Sequence, residues 1–425
     1  DLVELRLTEN FRAATAEARI ALAHGPRLQA VRSADEAAGL YEELRDLLLD
    51  PVNALGDLTD AYTLQSLQNL DDTCAILTRD NGQALVVSRL LHERGIEHRL
   101  RRPLEERPVP HWVAELLRRT EATGLTEERF RSLLTEIPQT RTADAATLWT
   151  VLRRATRSPG RTALDLDRLR RLVAEGRFPD EAADPENTRI VVSTVHRAKG
   201  LEFDRVIVLT PPSVAELHKQ HKEDLDLPAE ARALYVAMTR ARYDLYHVGP
   251  PKMPLFRRAS GRRNGRRYIG GWCSYDRYGI VAESDDVSRD DPPGHASDAA
   301  ATQTYLLERV RPGHEVVLRR RDDLPMGEFQ SPRYALLHEG REIGEVSERF
   351  REELFRVQKV NRTWDPWWPE EIRGLRIDTL ETVAGPVAAS ANAGLGDRGV
   401  WIVPRITGIG MFRRAEHAED EEQKA

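Results

Sequence analysis

Two apolar runs, 189–195 and 205–209, stand close together in a chain otherwise rich in charge. Both are dominated by Val, Ile and Leu, the pattern of strands buried on both faces of a parallel sheet. The polar stretch between them, His196-Arg197-Ala198-Lys199-Gly200-Leu201-Glu202-Phe203, is predicted to leave the first strand at its C-terminal edge. Open α/β sheets hold their ligands at that edge. Residues 229–242 predict a helix with Ala231, Leu234, Met238 and Ala241 on one apolar stripe. At roughly 100° per residue, Arg240 projects about 120° away from that stripe.

Similar patterns extend on both sides. Leu5 and Leu7 alternate with charge as a short strand, ahead of a helix-like run to His24. Ser33 and Glu36 form a capping box that starts an amphipathic helix with Leu40, Leu44, Leu47 and Leu48 on one face. Residues 73–78 predict a buried strand, 86–94 a helix stopped by Gly95, and 96–100 a short strand, together a βαβ element of the same sheet. Between 101 and 185, Leu and Val at helical spacing predict four helices, 111–120, 126–134, 143–155 and 165–175, punctuated by Gly or Pro. Beyond Thr304 a mostly β unit is predicted, with strands at 315–319, 334–338, 343–346 and 400–404.

A length of 425 residues allows two or three domains, and 40% hydrophobic with 31% charged residues is a soluble composition. No run approaches the roughly eighteen apolar residues of a membrane span, and no leader opens the chain, so a cytoplasmic setting without membrane contact is expected. Two cysteines, Cys74 and Cys273, make neither a disulfide framework nor a zinc site, and no metal ligands are assigned. A net charge of −6 gives no general affinity for nucleic acid, so any DNA contact must come from local patches.

One such patch is 252–282, with arginine pairs at 257–258, 262–263 and 266–267 and then Tyr268, Trp272, Tyr275 and Tyr278. Basic residues neutralise phosphates and aromatics offer stacking faces; Gly261, Gly265, Gly270 and Gly271 favour a flexible basic linker instead. The acidic stretch 283–298, with Pro292-Pro293-Gly294, reads as a disordered connector that competes with DNA for the basic one. Trp364-Asp365-Pro366-Trp367-Trp368 is either a stacking platform or a core aromatic cluster.

The segments TVHRAKGLEF (194–203) and RALYVAMTRAR (232–242) resemble the fifth and sixth motifs of the UvrD/Rep/PcrA family of superfamily 1 DNA helicases. Asn10-Phe11-Arg12 is similar to the family's fourth motif, with Phe in place of Tyr. Arg79, Asn81 and the run Gly95-Ile96-Glu97-His98-Arg99 are similar to another of its segments. The resemblance implies an α/β fold: a RecA-like parallel sheet with an inserted helical subdomain, then a linker and a small, mostly β C-terminal domain. The corresponding divisions are 1–101 and 188–250 for the motor domain, 102–187 for the insertion, 251–303 for the linker and 304–425 for the β-rich end.

The resemblance also implies roles. Arg240 is the arginine finger that reaches the γ-phosphate, where a planar, always-charged fork suits the charge of a phosphoryl transition state. Arg12 is a second cation there, Glu202 contacts the nucleotide sugar, and Gly200 allows close backbone approach. Thr194, His196, Lys199 and Arg79 fall at positions facing single-stranded DNA. The plainer alternative is a surface ion pair between Glu202 and Arg240, with Thr194 merely ending a strand.

A superfamily 1 helicase also needs a G-x-x-x-x-G-K-[ST] loop and an acidic pair for Mg²⁺. Neither occurs in these 425 residues. In the resembling family both lie in a first RecA-like domain that precedes the NFR-like segment. The expectation is the C-terminal part of an ATP-dependent helicase or translocase moving 3′ to 5′, read as a fragment or processed product because the chain opens at Asp1 without Met. Alone it would be inactive, with ATP and Mg²⁺ held mainly by a first motor domain supplied upstream or in trans. The expected partners are single-stranded or partly duplex DNA, that motor domain, and a protein bound through the C-terminal domain. The alternatives are a helicase-derived DNA- or partner-binding subunit without ATPase activity, or one half of a split helicase.

Overall fold

The computed structural model describes residues 16–101, 107–138, 145–157, 163–183, 188–220, 225–249, 257–258, 267–269, 278–322, 329–359 and 368–413. The chain divides into two compact units, Asp1–Pro103 with Thr188–Leu255, and Leu104–Asn187 with Phe256–Ala425. The strand and motif expected within residues 5–12 lie outside the described residues, as do most of the basic stretch, Trp364, Trp367 and the acidic tail.

The first unit is built on six parallel strands: β1 (Ala54–Asp57), β2 (Cys74–Thr78), β3 (Arg99–Leu100), β4 (Ile190–Thr194), β5 (Phe203–Leu209) and β6 (Ala241–Gly249). Their spatial order is β1-β6-β5-β2-β4-β3. Every residue of β2 and β4 is buried, which is why their sequences run apolar without alternation. Cys74 and Ile76 face one side and pack with Val87 and Leu91 of the helix Asn81–Glu93. Ala75 and Leu77 face the other, under Leu44 of the helix Ala34–Leu48 and Leu234 of the helix Leu227–Met238. The Ser33 hydroxyl accepts the Glu36 amide proton at 3.2 Å, as the capping box predicts. Asp80 caps the next helix by accepting from the Gln83 amide at 2.9 Å. Gly95, at φ 67°, ends that helix in the left-handed conformation.

One helix boundary differs from expectation. The helix predicted over 229–242 runs from Leu227 to Met238, and Ala241 already opens β6. Ala241 falls on the helical stripe by period, but it also begins a strand whose inward positions include Leu245 and Val248. Long-range pairing with β5 decides in favour of the strand. Arg240 therefore sits in the turn between helix and strand.

The second unit contains an antiparallel sheet. Its main strands are β7 (Tyr278–Val281), β8 (Glu315–Arg321), β9 (Arg333–His338), β10 (Arg341–Glu345), β11 (Glu371–Ala384) and β12 (Val400–Arg413), in the order β10-β9-β8-β11-β12-β7. Arg267–Ile269 and Arg257–Arg258 extend it beyond β7. Trp401, Tyr334, Phe350 and Ile406 lie at its core, and Trp368 packs against that core half-buried. Four helices of the same unit, His111–Arg118, Glu127–Glu136, Ala145–Ala155 and Leu166–Ala174, gather around Trp112, Phe130 and Trp149, with Val400 of β12 in the same cluster. Sequence treats this helical segment and the C-terminal strands as separate domains; contacts join them. The Thr382 amide donates to the Val109 carbonyl at 2.8 Å, and Arg398 reaches Asp167 at 2.7 Å.

The acidic stretch is a second correction. Residues 283–298 are folded rather than a disordered connector: Asp286 is fully buried, and its carbonyl accepts from the Ser347 amide at 2.7 Å. Arg349 pairs with both Glu283 and Asp285, and Arg289 with Glu381 at 2.6 Å. Neutralised by arginines, these carboxylates escape the self-repulsion that disorders a free acidic run. No helix among the described residues is long and apolar enough to cross a membrane.

Candidate functional site

Parallel register sorts the candidate residues onto two opposite edges of the first sheet. Thr194 ends β4 level with Thr78, the last residue of β2. Arg205 of β5 lies level with Cys74, the first residue of β2, and Phe203 lies level with Ala241 at the start of β6. Residues 194 to 203 thus descend from the C-terminal edge to the N-terminal edge, about six strand steps or ~20 Å. They do so through consecutive turns: the Thr194 carbonyl accepts from the Arg197 and Ala198 amides, and the Leu201 amide donates to Ala198. Only the first half of this polar stretch occupies the edge that sequence assigns to all of it.

At the C-terminal edge, Arg79 follows β2 and His196 follows β4. Arg79 forms a two-pronged ion pair with Glu230, Nε to Oε2 at 2.6 Å and Nη2 to Oε1 at 2.5 Å, and its Nη1 meets His196 Nε2 at 3.2 Å. Glu230 raises the Arg79 pKa chiefly through this hydrogen bonding. The His196 pKa is lowered, first by burial and then by the neighbouring charges of Arg79 and Lys199. His196 and Lys199 are exposed, whereas Thr194 is 5% exposed and its carbonyl anchors the following turn.

Glu230 is the residue that sequence reasoning misses. Its one local signal is a carboxylate in the first turn of a helix, a common and weakly informative position. Behind this edge, the helix Ala34–Leu48 clamps the loop after β5. Tyr41 donates to the Pro212 carbonyl at 2.7 Å, Arg45 to the Pro211 carbonyl at 3.1 Å, and Glu42 accepts from the Val214 amide at 2.7 Å.

At the N-terminal edge, Glu202 and Arg240 immediately precede β5 and β6. The Arg240 guanidinium folds back onto its own helix end. Nε donates to the Val236 carbonyl at 3.1 Å and Nη2 to Thr239 Oγ1 at 3.1 Å, a favourable place for a cation. Nη1 donates to the Leu201 carbonyl at 3.1 Å, next to Glu202. The Arg240 carbonyl in turn accepts from the Phe203 amide at 3.0 Å. Glu202 is paired, but with Arg242 Nε at 3.3 Å, so the expected surface pair falls two residues further on. Gly200 is exposed at φ 79°, and a Cβ built there meets nothing within 4 Å. The structure therefore brings Glu202 and Arg240 to one edge and Arg79 and His196 to the other, with Lys199 and Gly200 on the turns between. Arg12 lies outside the described residues.

A six-stranded parallel sheet with helices on both faces and charged loops at opposite edges is a RecA-like unit, the architecture of nucleotide-driven motors. Residues 148–248 match the UvrD-like helicase C-terminal domain. The chain carries a UvrD-like superfamily 1 helicase C-terminal domain, followed by a separate antiparallel β-sheet region. No curated protein matches the chain.

Proposed function

We propose that this chain is the C-terminal part of an ATP-dependent UvrD-like DNA helicase or translocase that moves 3′ to 5′ on single-stranded DNA. Its first unit acts as the second motor domain. The observation that carries this reading is the segregation of Glu202 and Arg240 from Arg79 and His196 onto opposite edges of one sheet, with Lys199 and Gly200 on the turns that run between them. A motor that couples nucleotide to DNA needs two such surfaces on one rigid element. Each has chemistry suited to its ligand: a planar fork beside a carboxylate on one edge, an imidazole beside a guanidinium on the other.

ATP would lie between this unit and a domain carrying a phosphate-binding loop, and would supply the γ-phosphate. The residues at the N-terminal edge fit such a neighbour. Arg240 is held at a helix end by three acceptors, and the Glu202 carboxylate lies on the adjacent peptide for a sugar hydroxyl. Arg12 is assigned to the same phosphate by sequence alone. Mg²⁺ is assigned to the acidic pair of the other domain by the resemblance alone. Thr194 sets the turn that presents His196 and Lys199 to the DNA backbone.

Arg240 decides the reading. In the complete motor, with a phosphate-loop domain present, Arg240→Ala should lower ATP turnover by about 10³–10⁵, the usual worth of an arginine finger. DNA affinity should remain near that of the parent. Arg240→Lys should fail to restore turnover, because an ammonium cannot reproduce the fork. Unimpaired turnover in Arg240→Ala at saturating ATP and DNA would overturn the proposal.

A further inference from the structure

We infer that Glu230 and Arg79 form a clamp that holds His196 as a neutral imidazole with its proton on Nδ1, so that the ring offers an N–H donor outward to a phosphodiester. The inference deepens the DNA-facing half of the proposed function and rests on it for the identity of the ligand. The clamp itself rests on geometry alone. A guanidinium has only donors, so an Arg79 Nη1 hydrogen bond to His196 Nε2 requires that nitrogen to be the lone-pair acceptor. In a neutral imidazole the proton then resides on Nδ1. Protonating Nε2 as well would set two N–H donors and two positive charges against each other at 3.2 Å.

Arg79 cannot swing away without abandoning Glu230, which grips it through both carboxylate oxygens. Bidentate pairing of this kind fixes the plane of the guanidinium as well as its position. Glu230 is in turn fixed on the first turn of the helix Leu227–Met238, whose Leu227, Ala231 and Leu234 are buried. The charged and titratable groups acting on the cluster are Arg79 and Asp80 after β2, Lys199 on the same loop as His196, Glu230 on its helix, and Tyr41 on the helix Ala34–Leu48. Burial, Arg79 and Lys199 keep the ring neutral, and only Glu230 opposes them.

Arg79 is therefore a positioning residue: its charge is spent on Glu230 and an Nη1 proton on the ring. A neutral N–H donor has a physical consequence. It contributes direction to a phosphate contact without adding a counterion-releasing charge, so its contribution should not vary with pH across the neutral range.

The test is histidine-selective ¹⁵N NMR of the full chain, with His196 assigned through His196→Gln. The expected spectrum in the absence of DNA shows the Nδ1–H tautomer, titrating below the ordinary histidine range. In Arg79→Ala the titration should move upward and the preference for the Nδ1–H tautomer should weaken. Glu230→Gln, which keeps shape and removes the one charge that favours protonation, should weaken the same tautomer preference while moving the titration downward. An Nε2–H tautomer in the parent, or a parent titration that Arg79→Ala leaves unmoved, would overturn the clamp. Adding an oligothymidylate should then shift the Nδ1 signal. A clamp observed in the free protein together with an Nδ1 signal indifferent to the oligonucleotide would support the clamp and reject the DNA contact, so the two failures are told apart.

Discussion

Glu202 shows how far a single side chain can be read. Its carboxylate stands beside Arg242 at 3.3 Å, the geometry of an ordinary surface pair, and also on the peptide that Arg240 grips. The two roles separate by energy. Exposed ion pairs contribute about 0–1 kcal/mol, so if pairing were the whole role, Glu202→Ala and Arg242→Ala should behave alike and weakly. If Glu202 contacts the nucleotide sugar, Glu202→Ala should raise the KM for ATP in the complete motor and leave kcat within a few-fold. A sugar contact is equally strong in ground and transition states, so its loss weakens binding more than rate. Arg242→Ala should leave both parameters near the parent's. Equal KM values in the parent and in Glu202→Ala would remove Glu202 from the nucleotide site. The candidate residues at both edges could be proposed from sequence because each falls within a short contiguous motif that carries the family resemblance. Glu230 could not, because nothing in a linear reading joins residue 79 to residue 230. Only the packing of the helix Leu227–Met238 over β2 and its neighbours places them within hydrogen-bond reach.

Elements were legible where one face decides. Four of the helices in the 107–183 region were readable within a few residues from their Leu and Val spacing, while the single turn Asp180–Ala183 was not. Thr126 and Asp165 cap two of them, as the preference for Thr and Asp at helix starts predicts. The buried strands β2 and β4 were equally plain. Elements whose burial is set from elsewhere were lost: β1 is short and half exposed, and β11 alternates too irregularly across its fourteen residues to announce a strand. Joints between elements are less legible still. Thr382 of β11 reads as one more β-branched residue, yet its hydroxyl donates to the Pro110 carbonyl at 2.6 Å and accepts from the Ala114 amide at 3.0 Å. It ties the first turn of the helix His111–Arg118 to the sheet. Thr382→Val keeps the shape and β-propensity but strands the Ala114 amide and leaves the Pro110 carbonyl with the Val113 amide alone. An unsatisfied buried group costs about 1–3 kcal/mol. Chemical denaturation followed by the tryptophans of this unit, Trp112, Trp149 and Trp401 among them, should show a loss in that range, with Thr382→Ser losing less. A Thr382→Val protein as stable as the parent would show that these backbone groups find other partners.

At the scale of the molecule, charge is the property that misleads most. A net charge of −6 argues against nucleic-acid binding, yet several of the carboxylates behind it are engaged by arginines. Glu230 holds Arg79, Glu283 and Asp285 hold Arg349, and Glu371 holds both Arg319 and Arg373. Within the acidic run at 283–298, Glu283 and Asp285 are thus engaged by Arg349, while Asp290, Asp291 and Asp298 are exposed. Most of the basic stretch with the arginine pairs at 257–258, 262–263 and 266–267 lies outside the described residues, and its role is a matter for measurement. Binding of the full chain to oligothymidylate should weaken steeply with salt, since each phosphate neutralised contributes about −0.7 to the slope of log K against log salt for single strands. Changing all six arginines to alanine should flatten the slope by about 0.7 for each one that contacts a phosphate. Glu283→Gln with Asp285→Asn should leave the slope unchanged, because those carboxylates face Arg349, while lowering the stability of the second unit through the lost pairing. A steeper slope in that double variant would support the competition model, and an unchanged slope in the six-arginine variant would leave the single strand to the edge formed by Arg79 and His196.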